Sequence, residues 1–497
     1  MKTNKIPSPL ISLIPIVVLI ILLIFSVTTF GSDSLSGGSQ VSLLIASSVA
    51  ISISMLFYNI SWKDFEIAIT NNISGISTAL VILLIIGALS GTWMISGVVP
   101  TLIYYGIEII HPRFFLVSTC VICALISVMT GSSWTTIATI GIALLGIGKA
   151  QGFHEGWIAG AIISGAYFGD KVSPLSDTTV LASSVTNTPL FTHIRFLMIT
   201  TVPSFIISLI IFAIAGISYD VTNTSHIIEF QQVLSSKFNI SFWLLLVPVI
   251  TGIMISKKVP SLITLFLSTA LAVIFAIIFQ PHLIFELTGT NVTGIQALYK
   301  GAFQMIYGST SLDAGNNEVN SLIATRGMAG MMSTIWLIIC AMCFGGAMTA
   351  SGMLGSLTST LVRFTKKRFG IVTSSVVSGL LLNVTTADQY MSIILLGNMF
   401  KDIYKKNGFE SRLLSRTAED AITVTSPLIP WNTCGMTQST ILNVPTIVYL
   451  PYSFFNILSP LMSIFISIIG YKIFVRKDSL EEQFDIDKEQ YETENSH

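Results

Sequence analysis

Long apolar runs, interrupted at four places by short polar stretches, set the pattern of this chain. Runs of about 20 apolar residues, the length a helix needs to cross a bilayer, lie at 9–30, 41–60, 76–98, 196–219, 241–256, 260–279, 331–352 and 451–475. The run 114–150 is split by Gly131-Ser132-Ser133-Trp134-Thr135-Thr136. Each arm has about 14–17 residues, roughly 21–26 Å of helix, which is short for a hydrocarbon core about 30 Å thick. The pattern therefore predicts a re-entrant hairpin with a polar tip. Residues 370–404 repeat it around Thr385-Thr386-Ala387-Asp388-Gln389, while 156–190 and 411–445 read as single helices broken in the middle.

The polar stretches come in pairs. Both breaks carry Ser-Pro-Leu, at 173–175 and 426–428. Ser133 precedes Ser173 by the same interval that separates Thr386 from Ser426, so one offset of 253 relates the two halves. Near an offset of 255, Ser96-Gly97 matches Ser351-Gly352 and Arg113-Phe114 matches Arg368-Phe369. Each half reads as three spans, a re-entrant hairpin, a broken helix and a final span, over 1–219 and 241–475. A linker at 220–240 joins them, 280–330 reads as an external loop or a partly ordered cap, and 476–497 is an acidic tail. An odd number of crossings turns the second half upside down. The expected fold is thus an all-α polytopic membrane protein of two inverted-topology repeats.

Composition agrees. Of 497 residues, 52% are hydrophobic and 10% charged, and the mean hydropathy is +0.78. Soluble proteins average about a quarter charged residues. The formal net charge is zero and no basic patch suggests nucleic acid. The N-terminal run is longer than a secretory core and has no small-x-small cleavage site, so it reads as the first span. The Cys120/Cys123 and Cys340/Cys343 pairs lie in apolar runs without added ligands and read as packing. The tail, rich in Glu and Asp and poor in apolar residues, reads as disordered. Lys and Arg in short loops favour the cytoplasm. With both termini inside, so are Lys63, Arg195, Lys257 and Lys258, the cluster Arg363, Lys366, Lys367 and Arg368, and Lys401, Lys405, Lys406, Arg412 and Arg416.

Ionisable residues at membrane depth are costly and mark a pathway. Asp170, Lys171, Asp177, Asp388, Glu419 and Asp420 are the candidates. Asp170 and Asp177 flank Ser173-Pro174, and with Ser173, Ser176, Thr178 and Thr179 they form an oxygen-rich cluster suited to a hard cation. Asp388 stands in the second tip beside Thr385 and Thr386, and Ser132, Ser133 and Thr135 occupy the first. Asn432 and Thr433 bring neutral oxygens to the second break. The binding set expected for ion or substrate is Asp170, Ser173, Asp177, Thr178, Ser132, Ser133, Thr385, Thr386, Asp388 and Asn432, with Asp177 and Asp388 as the Na+ ligands. Helix capping by the same Asp and Ser residues is the structural alternative. Lys171 reads equally as neutralising Asp170 or competing with the cation. Glu419 and Asp420 read equally as a pathway entrance or a salt-bridged face with Arg412 and Arg416.

An enzyme is disfavoured. Gly165 to Asp170 lacks the spacing of an intramembrane aspartyl protease, and His154 lies in a hydrophilic turn away from Ser132 and Ser133. No Gly-x-x-x-x-Gly-Lys-Ser/Thr loop for ATP-driven transport is present. Two matched carboxylate clusters favour coupled exchange over a channel.

The stretch Gly169-Asp170-Lys171-Val172-Ser173-Pro174-Leu175-Ser176-Asp177-Thr178-Thr179, with Ser426-Pro427-Leu428-Ile429-Pro430-Trp431-Asn432, resembles the NhaC family of Na+/H+ antiporters. Thr386-Ala387-Asp388-Gln389-Tyr390-Met391-Ser392 and Gly131-Ser132-Ser133-Trp134 resemble it as well, though Ala387 stands where a glycine is expected. The resemblance, over about 80–475, implies inverted repeats with hairpins. It also implies a cytoplasmic-membrane antiporter of Na+ against H+, with no cofactor beyond the transported ions. Because the family includes malate–lactate antiporters, a small organic acid or an amino acid is the alternative cargo. The bilayer, Na+ and H+ are the expected partners; a small carboxylate and a homodimer stay open.

Overall fold

The computed structural model describes residues 7–30, 37–218, 224–288, 294–363 and 368–471. The acidic tail, and Lys366 and Lys367 of the basic cluster, lie outside the described residues. Among the described residues the architecture is helical throughout, apart from a single bridge between Thr310 and Thr325. Nine helices among them are long and apolar enough to cross a membrane, or up to 11 if each of two bent pairs is one span. The protein is a multi-pass membrane protein.

The expected spans appear as Pro9–Phe30, Gly38–Tyr58, Ser77–Ile95, Leu190–Ile217, Ser261–Phe279 and Gly327–Ala350, with Phe242–Ser256 and Phe454–Ile469 as parts of the two bent pairs. Leu190–Ile217 shows why such helices form here. Thr200, Ser204, Ser208, Phe212 and Gly216 recur every fourth residue and are buried. Ile206, Ile207, Ile210, Ile214 and Ile217 face outward. This reverses a water-soluble helix. The buried hydroxyls are satisfied within the helix, with Ser204 donating to the Thr200 carbonyl at 2.8 Å and Ser208 to that of Ser204 at 2.7 Å.

Three differences from the sequence pattern stand out. The arms of the first hairpin are longer than the apolar run suggested, Pro112–Thr130 with 19 residues and Ser133–Ala150 with 18. The first gains a 3-10 turn at Pro112–Phe114 and the second absorbs the polar tip as its first helical turn, so by length each can span. Second, of the two readings of 280–330, loop or partly ordered cap, the ordered one fits: it holds Pro281–Thr288, Gly294–Tyr307 and Asn317–Ile323, and the linker holds Thr224–Lys237. Gly294–Tyr307 packs on Gly327–Ala350 and on Ser77–Ile95, whose Gly91 leaves no room for a Cβ beside the Met305 carbonyl. Third, Arg416, counted among the cytoplasmic basic residues, is fully buried in the helix Ser411–Ala418, on the salt-bridged face that is one of its two readings. Asp420 lies one turn beyond it, so a buried anion holds it inside.

Candidate functional site

Close helix packing builds the site. Glu155–Val172 carries Gly165 and Gly169, four apart, and a Cβ at either would collide with the backbone of Phe115–Thr130, at Cys120 and Ala124. Small residues at this spacing let membrane helices approach backbone to backbone. Ser127 donates to the Ala166 carbonyl at 2.6 Å across the contact. Pro174 disfavours the helical conformation at the residue before it, and Ser173 is extended with ψ 130°. The Ser173 hydroxyl donates to the Val128 carbonyl at 2.8 Å, tying the break to the hairpin. Ser176 then caps a new helix, Asp177–Val185, and lies 3.0 Å from the Thr178 hydroxyl.

At the first tip, Gly131 turns the chain at φ 66° and Ser132 caps the next helix, accepting from the Thr135 N–H at 3.2 Å. Ser133 donates to Asp170 Oδ2 twice, from its N–H at 3.1 Å and its hydroxyl at 2.7 Å. The second tip repeats the turn at Ala387, φ 58°, and Asp388 caps Gln389–Lys406 through the Met391 N–H at 3.0 Å. Its other oxygen accepts from the Thr433 hydroxyl at 3.1 Å. Asn432 caps Thr433–Leu442 and donates to the Asn383 carbonyl at 3.2 Å. The Thr433 N–H donates to the Ala387 carbonyl at 2.8 Å.

The local geometry recurs from one half to the other. Thr130 and Thr386 each bracket the residue two positions on, accepting from its N–H and donating to its carbonyl. Ser127 reaches the Ala166 carbonyl as Asn383 reaches that of Ile422, at 2.7 Å. Ser133 with Asp170 corresponds to Gln389 with Ser426, 3.2 Å apart. Ser176 and Asn432 are the matching caps. The register set by the two Ser-Pro-Leu triplets is therefore displaced. Ser173-Pro174-Leu175 corresponds to Ile429-Pro430-Trp431, and Ser426–Leu428 is a 3-10 turn that the first half lacks.

The halves cross. Asp177–Val185 packs on Gln389–Lys406, and Thr433–Leu442 packs on Ile137–Gly141. Tyr390, just past the second tip, lies within electrostatic reach of Asp170, Asp177 and Asp388. Asp170 and Asp388 are buried, whereas Asp177, ranked above Asp170 by sequence, is exposed at the first turn of its helix. The Thr385 hydroxyl turns back to carbonyls of its own helix, at 2.8 and 3.2 Å. Among the described residues no group of three or more His, Cys, Asp or Glu gathers as a metal centre. The carboxylates instead stand singly among hydroxyl and carbonyl oxygens, a donor set that suits a hard monovalent cation.

Beside this lies a second buried group. Lys171 does not neutralise Asp170. It forms an ion pair with Asp420, from the other half of the chain, and donates to Ser459 at 2.9 Å. Thr200 and Ser459 donate to the same Asp420 oxygen at 3.0 and 3.1 Å, and Arg416 stands 3.8 Å from the other. Arg416 also covers the Phe196 ring, 4.9 Å from its centroid. Glu419, fully buried, has no hydrogen-bond partner on either oxygen among the described residues. The signals for this group were a lysine and two acids in apolar surroundings, but no spacing rule pairs residues so far apart.

The sequence profile of the Na+/H+ antiporter family matches residues 165–471. The chain is 36% identical to the Na+/H+ antiporter NhaC of Alkalihalophilus pseudofirmus, over 83% of this chain and 87% of that one. It is 33% identical to the malate-2H+/Na+-lactate antiporter of Bacillus subtilis, over 96% and 98%. Against the arginine/ornithine antiporter ArcD of Halobacterium salinarum it is 32% identical, over 95% of each.

Proposed function

Because this chain belongs to the NhaC-type Na+/H+ antiporter family, we propose that it exchanges Na+ for H+ by secondary active transport across the cytoplasmic membrane. The observation that carries the reading is that two buried carboxylates, Asp170 and Asp388, each stand at a hairpin tip or the break it meets, where elements from the two halves pack on one another. Discontinuous helices at such a junction offer carbonyl and hydroxyl oxygens to a cation without exposing backbone to lipid. Asp170 and Asp388 hold Na+, Ser133 and Thr433 position them, and Asp177 serves the exposed approach to the break.

The two halves, 1–219 and 241–475, form inverted-topology repeats about that junction, with both termini in the cytoplasm. The recurrence of tip and break geometry, Thr130 answering Thr386 and Ser127 answering Asn383, supports the duplication. Reconstitution into liposomes with an imposed Na+ gradient, following internal pH, tests the exchange. A gradient that moves no protons rules it out.

A second reading keeps the fold and changes the cargo to a small organic acid or an amino acid. The malate–lactate and arginine/ornithine relatives, each matched over nearly the full chain, favour it. Malate, lactate or arginine added to the same liposomes distinguishes the two. Proton movement that depends on the organic solute selects the second reading.

A further inference from the structure

The helix Ser411–Ala418 starts at a cavity of about 420 Å³ whose lining includes Thr188, Ser411 and Arg412. Along that helix, residues four apart share a face. One such row is Ser411, Ser415 and Glu419; the next is Arg412, Arg416 and Asp420. Every member of the first row before Glu419 meets a group able to pass a proton. Thr188 donates to Ser411 at 3.0 Å, and Ser415 lies 2.8 Å from His193 Nδ1. His193 is fully buried, and its Nε2 has no partner among the described residues. The row ends at Glu419, where the helix loosens into the π-helical stretch Glu419–Thr423, a distortion common at functional sites.

Glu419 differs from its neighbour. Asp420 is held by Lys171, Thr200 and Ser459, whereas Glu419 forms no ion pair and no hydrogen bond of normal geometry among the described residues, the Thr423 hydroxyl one turn on being the side chain placed to donate to it. A fully buried carboxylate with no ion pair and no hydrogen bond at normal distance is strongly disfavoured. A carboxyl that holds a proton there costs far less. Lys171, Asp170 and Asp420 are the charges that act on it. Of the other elements packed against this stretch, Asp177–Val185 brings Asp177, Gln389–Lys406 brings Tyr390 and Tyr404 besides its terminal Lys and Asp, and Ser411–Ala418 brings the two arginines. Phe454–Ile469 carries no ionisable residue and Arg368–Thr386 only its terminal arginine.

We propose that Glu419 carries the exchanged proton, taken from the Thr188–Ser411 cavity along the Ser415–His193 face, and is distinct from the carboxylates that hold Na+. This rests on the antiport reading and says where its proton sits. Coupling follows from charge. Na+ at Asp170 and H+ at Glu419 each add one positive charge to a buried region already holding Lys171, so occupancy of one opposes occupancy of the other.

The test measures two fluxes in the same proteoliposomes: counterflow of labelled Na+ against Na+, and Na+-driven internal pH change. Glu419→Gln should keep counterflow within about twofold and lose proton movement by at least about tenfold. His193→Phe should slow proton movement and leave counterflow unchanged. Near-normal Na+/H+ exchange by Glu419→Gln overturns the proposal. If that variant loses both fluxes, Glu419→Asp decides. Recovery of both with a displaced pH profile supports a proton carrier, and loss of both again makes Glu419 a structural residue. Wild-type protein that moves Na+ without protons would instead remove the antiport reading itself.

Discussion

Ser133 gives Asp170 two hydrogen bonds to one oxygen, from the backbone at 3.1 Å and the hydroxyl at 2.7 Å. The tip of one hairpin thereby fixes the carboxylate of the neighbouring broken helix. Charge-assisted donors fix a carboxylate where a cation can meet it. Ser133→Ala keeps the N–H and loses the hydroxyl. Asp170 is then held less firmly, so apparent Na+ affinity should fall by about tenfold, the worth of one charge-assisted bond. Na+ dependence of proton flux in proteoliposomes measures it, and unchanged affinity would separate Asp170 from the ion.

Burial ranks the aspartates. Asp170→Asn and Asp388→Asn should abolish exchange, because each removes a buried charge that the surrounding donors are built to hold. Asp177→Asn, at an exposed position, should leave a reduced but measurable rate. Transport by the three variants side by side checks the order; a dead Asp177→Asn beside an active Asp170→Asn reverses it.

Lys171 and Asp420 make a second ranking, of stability. Asp420→Asn strands both Lys171 and Arg416 without their anion, whereas Lys171→Met leaves Asp420 with Arg416, Thr200 and Ser459. Breaking a buried pair from one side costs roughly 3–5 kcal/mol, and Asp420→Asn should sit at the upper end. Thermal unfolding of the purified variants in detergent should place Asp420→Asn below Lys171→Met.

Gly169→Ala tests the packing beneath the site. The added methyl meets the Ala124 carbonyl and, 2.5 Å away, the Ser127 side chain, with backbone on the near side and no flexible end to yield. Overpacking of this kind costs about 1–3 kcal/mol. A lowered melting temperature together with weakened exchange is expected, since the same contact holds Asp170 toward Ser133.

Acidification has a definite sign. Na+ and H+ each add positive charge to the same buried region, so protonation at lower pH opposes Na+ binding. Apparent Na+ affinity should fall steadily as pH drops and recover as it rises. Kinetics in proteoliposomes at matched internal and external pH measure this; affinity independent of pH would mean the two ions do not interact.

The spans, tips and breaks were legible because the bilayer imposes a length on apolar runs and leaves few places for Pro, Asp and Ser between them. Asp170, Ser133 and Asp388 were legible as ionisable or polar residues in those gaps. Three things were not. The Lys171–Asp420 pair joins positions in opposite halves of the chain, so no local spacing could bring them together. Short helices such as Gly294–Tyr307 lack the length of a span, so 280–330 gave no helical signal by that measure. The shared Ser-Pro-Leu drew the two halves into a displaced register, because identical letters outweighed the Gly131/Ala387 turn that fixes the geometry.

The crossing of the halves has a consequence for what either could do alone. Asp177–Val185 rests on the other half's Gln389–Lys406, and Thr433–Leu442 on the other half's Ile137–Gly141. A lone half would therefore keep the packing of its broken helix on its own spans and lose the part that the other half supplies. At the equivalent turn one half carries Asp170 and the other Ser426, so the two junctions are not interchangeable: only the first places a carboxylate under its tip.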